Sequence, residues 1–210
     1  MRGKENKEIR AHWSGPLKLD RGGPLDVKFL EAILCCDAEE VRRRSSLAGN
    51  VYWTKGENMP LDLFSYTREA SRCLSVGCFL GAIALASSVV ELILNRDSRT
   101  KGTLPLRTRG WATLNNQNLS AALRRGFPLT VLLEAKEDLN AGEPIGFVRR
   151  RNRVSHGDVF DIITTISDYD PSAEAEALDQ LEKADRFLVE WFNSAPDVQH
   201  SIIRNNRWPD

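Results

Sequence analysis

The sequence predicts an all-α fold in which helices pack around one long apolar helix. An uncharged run of eighteen residues extends from Cys73 to Val90, and a helix of this kind is expected to be buried on all sides within a bundle. Asp170 followed by Pro171 predicts the start of another helix, because Asp is a good N-cap and Pro fits the first helical position. The strand-like run at 159–166 is the one serious β candidate, and a single strand cannot form a sheet.

Composition and charge describe an ordinary folded chain. Of 210 residues, 41% are apolar and 28% are charged, which is typical of a globular domain. The 29 basic residues balance the 29 acidic ones. This balance excludes a protein coated with positive charge for general nucleic-acid binding, so any such binding must come from a local patch.

Histidines and cysteines are few, and their spacing predicts neither a metal site nor a cofactor. The three histidines lie far apart in the sequence: His12, His156 and His200. The four cysteines are Cys35, Cys36, Cys73 and Cys78. No group of them has the spacing of zinc ligands. Because the polar N-terminus lacks the features of a signal peptide, we expect free thiols in a reducing cytoplasm, with Cys73 and Cys78 buried in the core.

The chain divides into three predicted regions. We expect a flexible N-terminal arm at residues 1–24, a single helical domain at 25–192 and a C-terminal tail at 193–210. The predicted helices of the domain cover 25–47, a continuous stretch from Pro60 to Asp97, 117–125, 129–140, one helix after Pro144 and one after Asp170. Residues 98–116 are predicted to form a long basic loop.

Small residues recur along the long apolar helix. Gly77, Gly81, Ala84 and Ser88 are spaced by four, three and four residues, which predicts one narrow stripe that allows another helix to approach closely. A membrane anchor through residues 73–94 is a further interpretation of this segment. The apolar run is at the lower limit of bilayer thickness, so we expect a buried helix and no membrane.

The densest chemical signal is a basic segment that ends in a histidine. Arg149, Arg150, Arg151, Arg153 and His156 lie within eight residues. An imidazole moves protons near neutral pH, and guanidinium groups bind phosphate through paired hydrogen bonds. The combination suits phosphodiester chemistry, although a solvated basic helix face with one incidental histidine explains the same residues.

Helical geometry limits which of these residues can share a site. On a regular helix, Arg149 and Asn152 lie within about 20° and about 40° of His156. Arg151 lies about 140° from His156. We therefore expect Arg151 and His156 to meet only at a local distortion of the helix or beside a second polypeptide.

This segment resembles the signature of the HEPN superfamily, in which an arginine followed by a polar residue is separated from a histidine by four to six residues. Arg151, Asn152 and His156 match those positions. The helix from Arg68 to Glu91 is similar to the small-residue, Ala-rich helix of bacterial HEPN-like domains. The order of predicted elements also agrees over residues 60–192.

The resemblance implies an activity and an assembly. Many HEPN proteins are homodimeric, metal-independent endoribonucleases of toxin, phage-defence or RNA-processing systems, whose motif helices face each other across the dimer. They leave 2′,3′-cyclic phosphate ends on RNA. By this resemblance, His156 is the proton-transfer residue, Arg151 stabilises the phosphate and Asn152 supports them, while an antitoxin or another regulatory protein is a possible partner.

Further residues are assigned supporting roles. We expect Arg149, Arg150 and Arg153 of the motif segment, together with Arg107 and Arg109 of the basic loop, to contact the RNA backbone. Glu91 either faces water at the end of its helix or reaches Arg151 or His156 and holds it in register. Ser155 is a supporting candidate; it is not a nucleophile paired with His156, because adjacent helical residues point about 100° apart.

A different class of function remains open. Some HEPN proteins have lost catalysis, and a catalytically silent helical module that binds a nucleotide or a protein partner explains the same fold. The two interpretations differ at His156, which an enzyme needs exposed and near an arginine.

Overall fold

Helices form nearly all of the regular structure in the computed structural model, which describes residues 38–51, 59–140, 142–159, 162, 170–194 and 208. Within these residues the fold is an all-α helical bundle, as predicted. Its helices are α1 (Ala38–Asn50), α2 (Leu61–Ser75), α3 (Phe79–Arg96), α4 (Asn116–Leu123), α5 (Gly146–His156) and α6 (Pro171–Ser194). A 3₁₀ helix at Leu129–Leu132 and a hairpin of β1 (Arg107–Thr108) and β2 (Trp111–Ala112) complete the regular elements.

The helix α3 is the central apolar helix that the sequence predicts. It packs against α2, α5 and α6, and its core side chains Ile83, Val89 and Val90 have no exposed surface. By length and composition α3 is able to cross a membrane, yet most of it is buried inside the protein. Its apolar character is therefore accounted for by packing within the bundle.

The predicted continuous helix from Pro60 to Asp97 is wrong, because the chain breaks between α2 and α3. Gly77 has a φ of 78°, a left-handed conformation that glycine adopts without steric cost. The N–H of Gly77 donates to Leu74 O at 3.1 Å, and the N–H of Cys78 donates to Cys73 O at 2.7 Å. This pair of bonds is the Schellman motif that ends many helices.

The break also changes the interpretation of the small residues. Gly77 lies outside both helices, so the predicted stripe of four small residues is not continuous. A Cβ atom on Gly81 would lie 2.9 Å from Cys78 Sγ and 3.2 Å from Cys73 Sγ. Gly81 thus leaves room for two thiols. Cys78 is exposed and Cys73 is partly buried, so the expectation that both are buried core thiols is wrong.

Other predicted boundaries hold in part. The basic loop at 98–116 contains the β1–β2 hairpin, whose turn residues Arg109 and Gly110 have φ values of 51° and 84°, as in tight two-residue hairpins. The predicted helix at 129–140 is a short 3₁₀ helix followed by turns. The predicted arm at 1–24, the first half of the predicted helix at 25–47 and nearly all of the strand-like run beyond Val159 lie outside the described residues.

Buried polar groups connect the ends of the long helices. Asp97, at the end of α3, has no exposed surface; it accepts hydrogen bonds from Trp191 Nε1 at 2.8 Å and from Arg99. Burial favours a higher pKa for Asp97, but these hydrogen bonds outweigh burial and hold the pKa below its ordinary value. Trp208, within the predicted tail, packs against Trp191 and donates to Asp62 at 3.0 Å.

Candidate functional site

The motif segment forms one unbroken helix, α5, from Gly146 to His156. The helix ends at Gly157, whose φ of 75° reverses the chain, so His156 occupies the last helical position. The buried residues Phe147 and Val148 fix one face of α5 against the core. The distortion that would bring Arg151 and His156 together on one helix is therefore absent from this described segment.

Arg151 is held by a carboxylate on the central helix. Its Nη2 donates to Glu91 Oε1 at 2.7 Å, and its Nη1 donates to Asn152 Oδ1 at 3.2 Å. The same Glu91 oxygen accepts the backbone N–H of Leu114 at 2.8 Å. Both side chains are largely buried, with 14% of Glu91 and 23% of Arg151 exposed. The expected contact between Glu91 and Arg151 is thus observed, whereas any effect of Glu91 on activity stays a prediction.

A second set of motif side chains lies on the other side of α5. His156 and Arg149 are exposed, and Asn152 is partly buried. Because the helix is regular, Arg149 and Asn152 lie within about 20° and about 40° of His156 around its axis. We call Arg149, Asn152 and His156 the histidine face. No hydrogen bond joins His156 to another side chain within the described residues, so its imidazole is accessible.

The structure therefore does not bring the three motif residues into one cluster within a single chain. Arg151 points about 140° away from His156 and lies about 7.5 Å back along the helix axis. Asn152 lies between them: it accepts from Arg151 and belongs to the histidine face. On α5 the arginine nearest to His156 is Arg153, one turn back at about 60° around the axis and about 4.5 Å along it.

Arg150 does not fit the RNA-contacting role expected for it. Only 9% of this residue is exposed, and its guanidinium donates to Gln180 at 2.8 Å, Glu176 at 2.9 Å and Asp179 at 2.5 Å. Gln180 in turn donates to Ser87 Oγ and Phe147 O. These bonds tie α5 to α6 and α3. Two acidic residues of α6, Glu176 and Asp179, are thus paired with Arg150 at the edge of the bundle.

The remaining predicted contacts are on the surface. Arg107 and Arg109 are exposed in the hairpin, where the guanidinium of Arg107 donates to the carbonyls of Gly102 and Gly110 and closes the turn. Arg153 is partly buried, and Ser155 is exposed beside His156. These positions leave Arg107, Arg109 and Ser155 accessible to a ligand.

A cavity beside Asn152 was missed by sequence reasoning. It has a volume of about 490 Å³, within the size range of small-molecule sites. Its walls combine apolar side chains with amides from three separate segments: Leu106, Leu139, Val148, Asn115, Asn116, Gln117, Asn140 and Asn152. We call it the amide pocket. The run Asn115–Asn118 is the signal in the sequence, but its meaning depends on tertiary contacts with 139–144.

We predict that the Glu91–Arg151 pair contributes more to stability than an exposed pair does. In a double-mutant cycle with Glu91→Gln and Arg151→Gln, the coupling energy measured by urea unfolding should be about 1–2 kcal/mol, because the pair is largely buried. The matched control is Glu69–Arg72, a 2.6 Å pair with 50% and 40% exposure. Its coupling should be about 0.5 kcal/mol or less. Equal couplings would contradict the structural importance of the Glu91 contact.

Comparisons with known proteins identify no relative of this chain. No family model, no curated protein and no solved structure matches it. The HEPN resemblance therefore rests on the residues that carry it, and it stays a prediction.

Proposed function

We propose that the protein is a metal-independent endoribonuclease of the HEPN type that acts as a homodimer. The observation that carries this proposal is the helix α5, on which an exposed His156 follows an arginine that Glu91 holds at 2.7 Å. A fixed guanidinium costs no reorganisation when charge develops on a phosphate. An accessible imidazole supplies proton transfer at neutral pH.

The proposed reaction is transesterification within RNA. The 2′-oxygen attacks the adjacent phosphorus as a base removes the 2′-hydroxyl proton. The bond from phosphorus to the 5′-oxygen breaks, and an acid protonates that oxygen. The products carry a 2′,3′-cyclic phosphate and a 5′-hydroxyl. His156 performs proton transfer, and arginine stabilises the negative charge on the phosphoryl oxygens.

A second copy of the chain resolves the separation of Arg151 from His156. The reaction needs both a base and an acid, and the motif of one chain holds one histidine. A two-fold dimer in which the α5 helices face each other supplies two imidazoles, and it allows Arg151 of one copy to approach His156 of the other. RNA would then be bound along the histidine face and by Arg153, Arg107 and Arg109. A cytoplasmic defence, toxin or RNA-processing role, restrained by an antitoxin or another regulatory protein, is part of this proposal.

One observation favours a second candidate, a catalytically silent module that binds a nucleotide or a protein. Both terminal nitrogens of Arg151 already donate within the chain, to Glu91 and Asn152. A guanidinium engaged in this way has fewer donors left for a phosphate. In this alternative, the Glu91–Arg151 pair is a structural tie and His156 has no chemical role.

We predict that the purified protein cleaves RNA in the presence of a chelator. Analysis of the fragment ends should find 2′,3′-cyclic phosphate and 5′-hydroxyl groups. The variant His156→Ala should cleave about 10²–10⁴-fold more slowly, because it lacks the proton-transfer group.

The matched control is His200→Ala, which removes another imidazole and should cleave at the wild-type rate. Intact RNA across varied single-stranded and structured substrates, together with unchanged behaviour of His156→Ala, would exclude the enzyme and favour the silent module.

A further inference from the structure

The amide pocket lies directly beside the histidine face. Asn152 belongs to both, and Val148, one turn before it on α5, forms part of the pocket wall. Arg149 lies between these two residues in the sequence and is exposed. A ligand in the pocket can therefore extend along α5 towards Arg149 and His156.

Most amides around the pocket are fixed by the chain itself. Asn116 accepts from the N–H of Ile145 at 3.1 Å and donates to Glu143 O at 2.8 Å. Asn140 accepts from Ser120 Oγ at 3.1 Å. These bonds join α4 to the segment that leads into α5, so the pocket is preformed and does not depend on a ligand for its shape.

Two amide groups remain for a ligand. Asn152 accepts from Arg151 through Oδ1, so its Nδ2 faces elsewhere. Gln117 is exposed, and no hydrogen bond engages its side chain within the described residues. Together they offer donors and an acceptor above apolar walls formed by Leu106, Leu139 and Val148.

We propose that the amide pocket binds one unpaired nucleobase of RNA. Flat bases pack on apolar walls, and amide side chains hydrogen-bond to base edges, which is how proteins recognise single-stranded RNA. The phosphate attached to that base would lie on the histidine face, near Arg149. This inference rests on the proposed function for its substrate, and it makes Gln117 and Asn152 the residues that set base preference at the cut.

Binding measurements test the pocket separately from catalysis. The probes are the four 3′-mononucleotides and ribose 3-phosphate, which lacks a base, titrated calorimetrically into the full chain. At least one nucleotide should bind about tenfold more tightly than ribose 3-phosphate. Gln117→Ala and Asn152→Ala should each lower the affinity for that nucleotide by about tenfold, because each removes hydrogen bonds to the base. Arg149→Ala should lower the affinity for all the probes to the same extent, since the side chain of Arg149 would contact the phosphate that they share.

The matched control is Asn193→Ala, an exposed amide at the end of α6, which should bind every probe as the wild type does. Equal affinity for nucleotides and ribose 3-phosphate, or no effect at Gln117 and Asn152, would overturn the proposal. Base-dependent binding without RNA cleavage would support the pocket and exclude the enzyme. RNA cleavage together with equal affinity for nucleotides and ribose 3-phosphate would support the enzyme and exclude the pocket.

The junction of α2 and α3 carries a second, independent inference. In a Schellman motif, the side chain two positions past the helix cap contacts the third residue from the helix end. Here those positions hold Cys78 and Cys73, joined by the 2.7 Å bond from Cys78 N to Cys73 O. Both sulfurs lie within 3.2 Å of the point that a Cβ on Gly81 would occupy. The two thiols are therefore neighbours above a glycine.

We propose that Cys73 and Cys78 form a disulfide when the protein meets a low-molecular-weight disulfide such as oxidised glutathione. The Cys78 thiolate attacks one sulfur of glutathione disulfide and releases one glutathione thiol. Cys73 then attacks the Cys78 sulfur, releases the second glutathione and closes the protein disulfide. Two electrons pass from the protein thiols to the reagent, and each released thiolate takes up one proton.

Exposure determines the order of the two steps. Cys78 is accessible to the reagent, whereas Cys73 is partly buried. Burial, together with the neighbouring Cys78, raises the pKa of the Cys73 thiol to about 11. Because the thiolate is the attacking species, Cys73 reacts second, within the protein.

Peptide mapping by mass spectrometry under non-reducing conditions tests this order. After treatment of the full chain with oxidised glutathione, we expect the Cys73–Cys78 linkage in the wild type. The variant Cys73→Ser should instead accumulate glutathione on Cys78, and Cys78→Ser should leave Cys73 unmodified. A wild-type protein that keeps glutathione on Cys78, or that leaves both thiols free, would overturn the proposal.

Discussion

The ion pair between Glu91 and Arg151 is the contact on which the rest of the site depends. One carboxylate oxygen receives a guanidinium from α5 and the N–H of Leu114 from the segment after the hairpin. It thereby joins the central helix to α5 and to the segment that leads into α4, and both of these contribute to the walls of the amide pocket. A charge this deeply placed needs a partner, because an unpaired buried charge costs several kcal/mol. The pair thus fixes α5 against the core and determines which of its side chains remain available.

An unbroken α5 then divides the motif between two faces. Arg151 turns towards the core and Glu91, whereas Arg149, Asn152 and His156 face the pocket and solvent. A site assembled from one chain would use Arg153 or Arg149 as its cation. A site that uses Arg151 requires a partner subunit. This division makes the dimer a mechanistic requirement of the proposal, beyond its place in the HEPN resemblance.

The features that the sequence predicts well depend on local patterns, and those it misses depend on distant contacts. The apolar run identified α3, and the Asp170–Pro171 pair identified the start of α6, where Asp170 Oδ1 accepts from Ser172 and Ala173 at 3.1 Å. The uncharged sequence runs through Gly77 without a break and therefore predicts one continuous helix, but the positive φ of Gly77 ends α2 there. The sequence does not predict the burial of Arg150, because its partners lie some thirty residues away, on α6. The amide pocket likewise requires segments that meet only in the folded chain.

Mixing wild-type subunits with an inactive partner tests the shared site most directly. Wild-type and His156→Ala chains are mixed in equal amounts so that dimers re-form, and RNA cleavage is measured per wild-type subunit. If one cleft needs His156 from both copies, only wild-type homodimers are active, and half of the wild-type subunits lie in mixed dimers. Activity per wild-type subunit should then fall to about half. Undiminished activity per wild-type subunit would contradict the account.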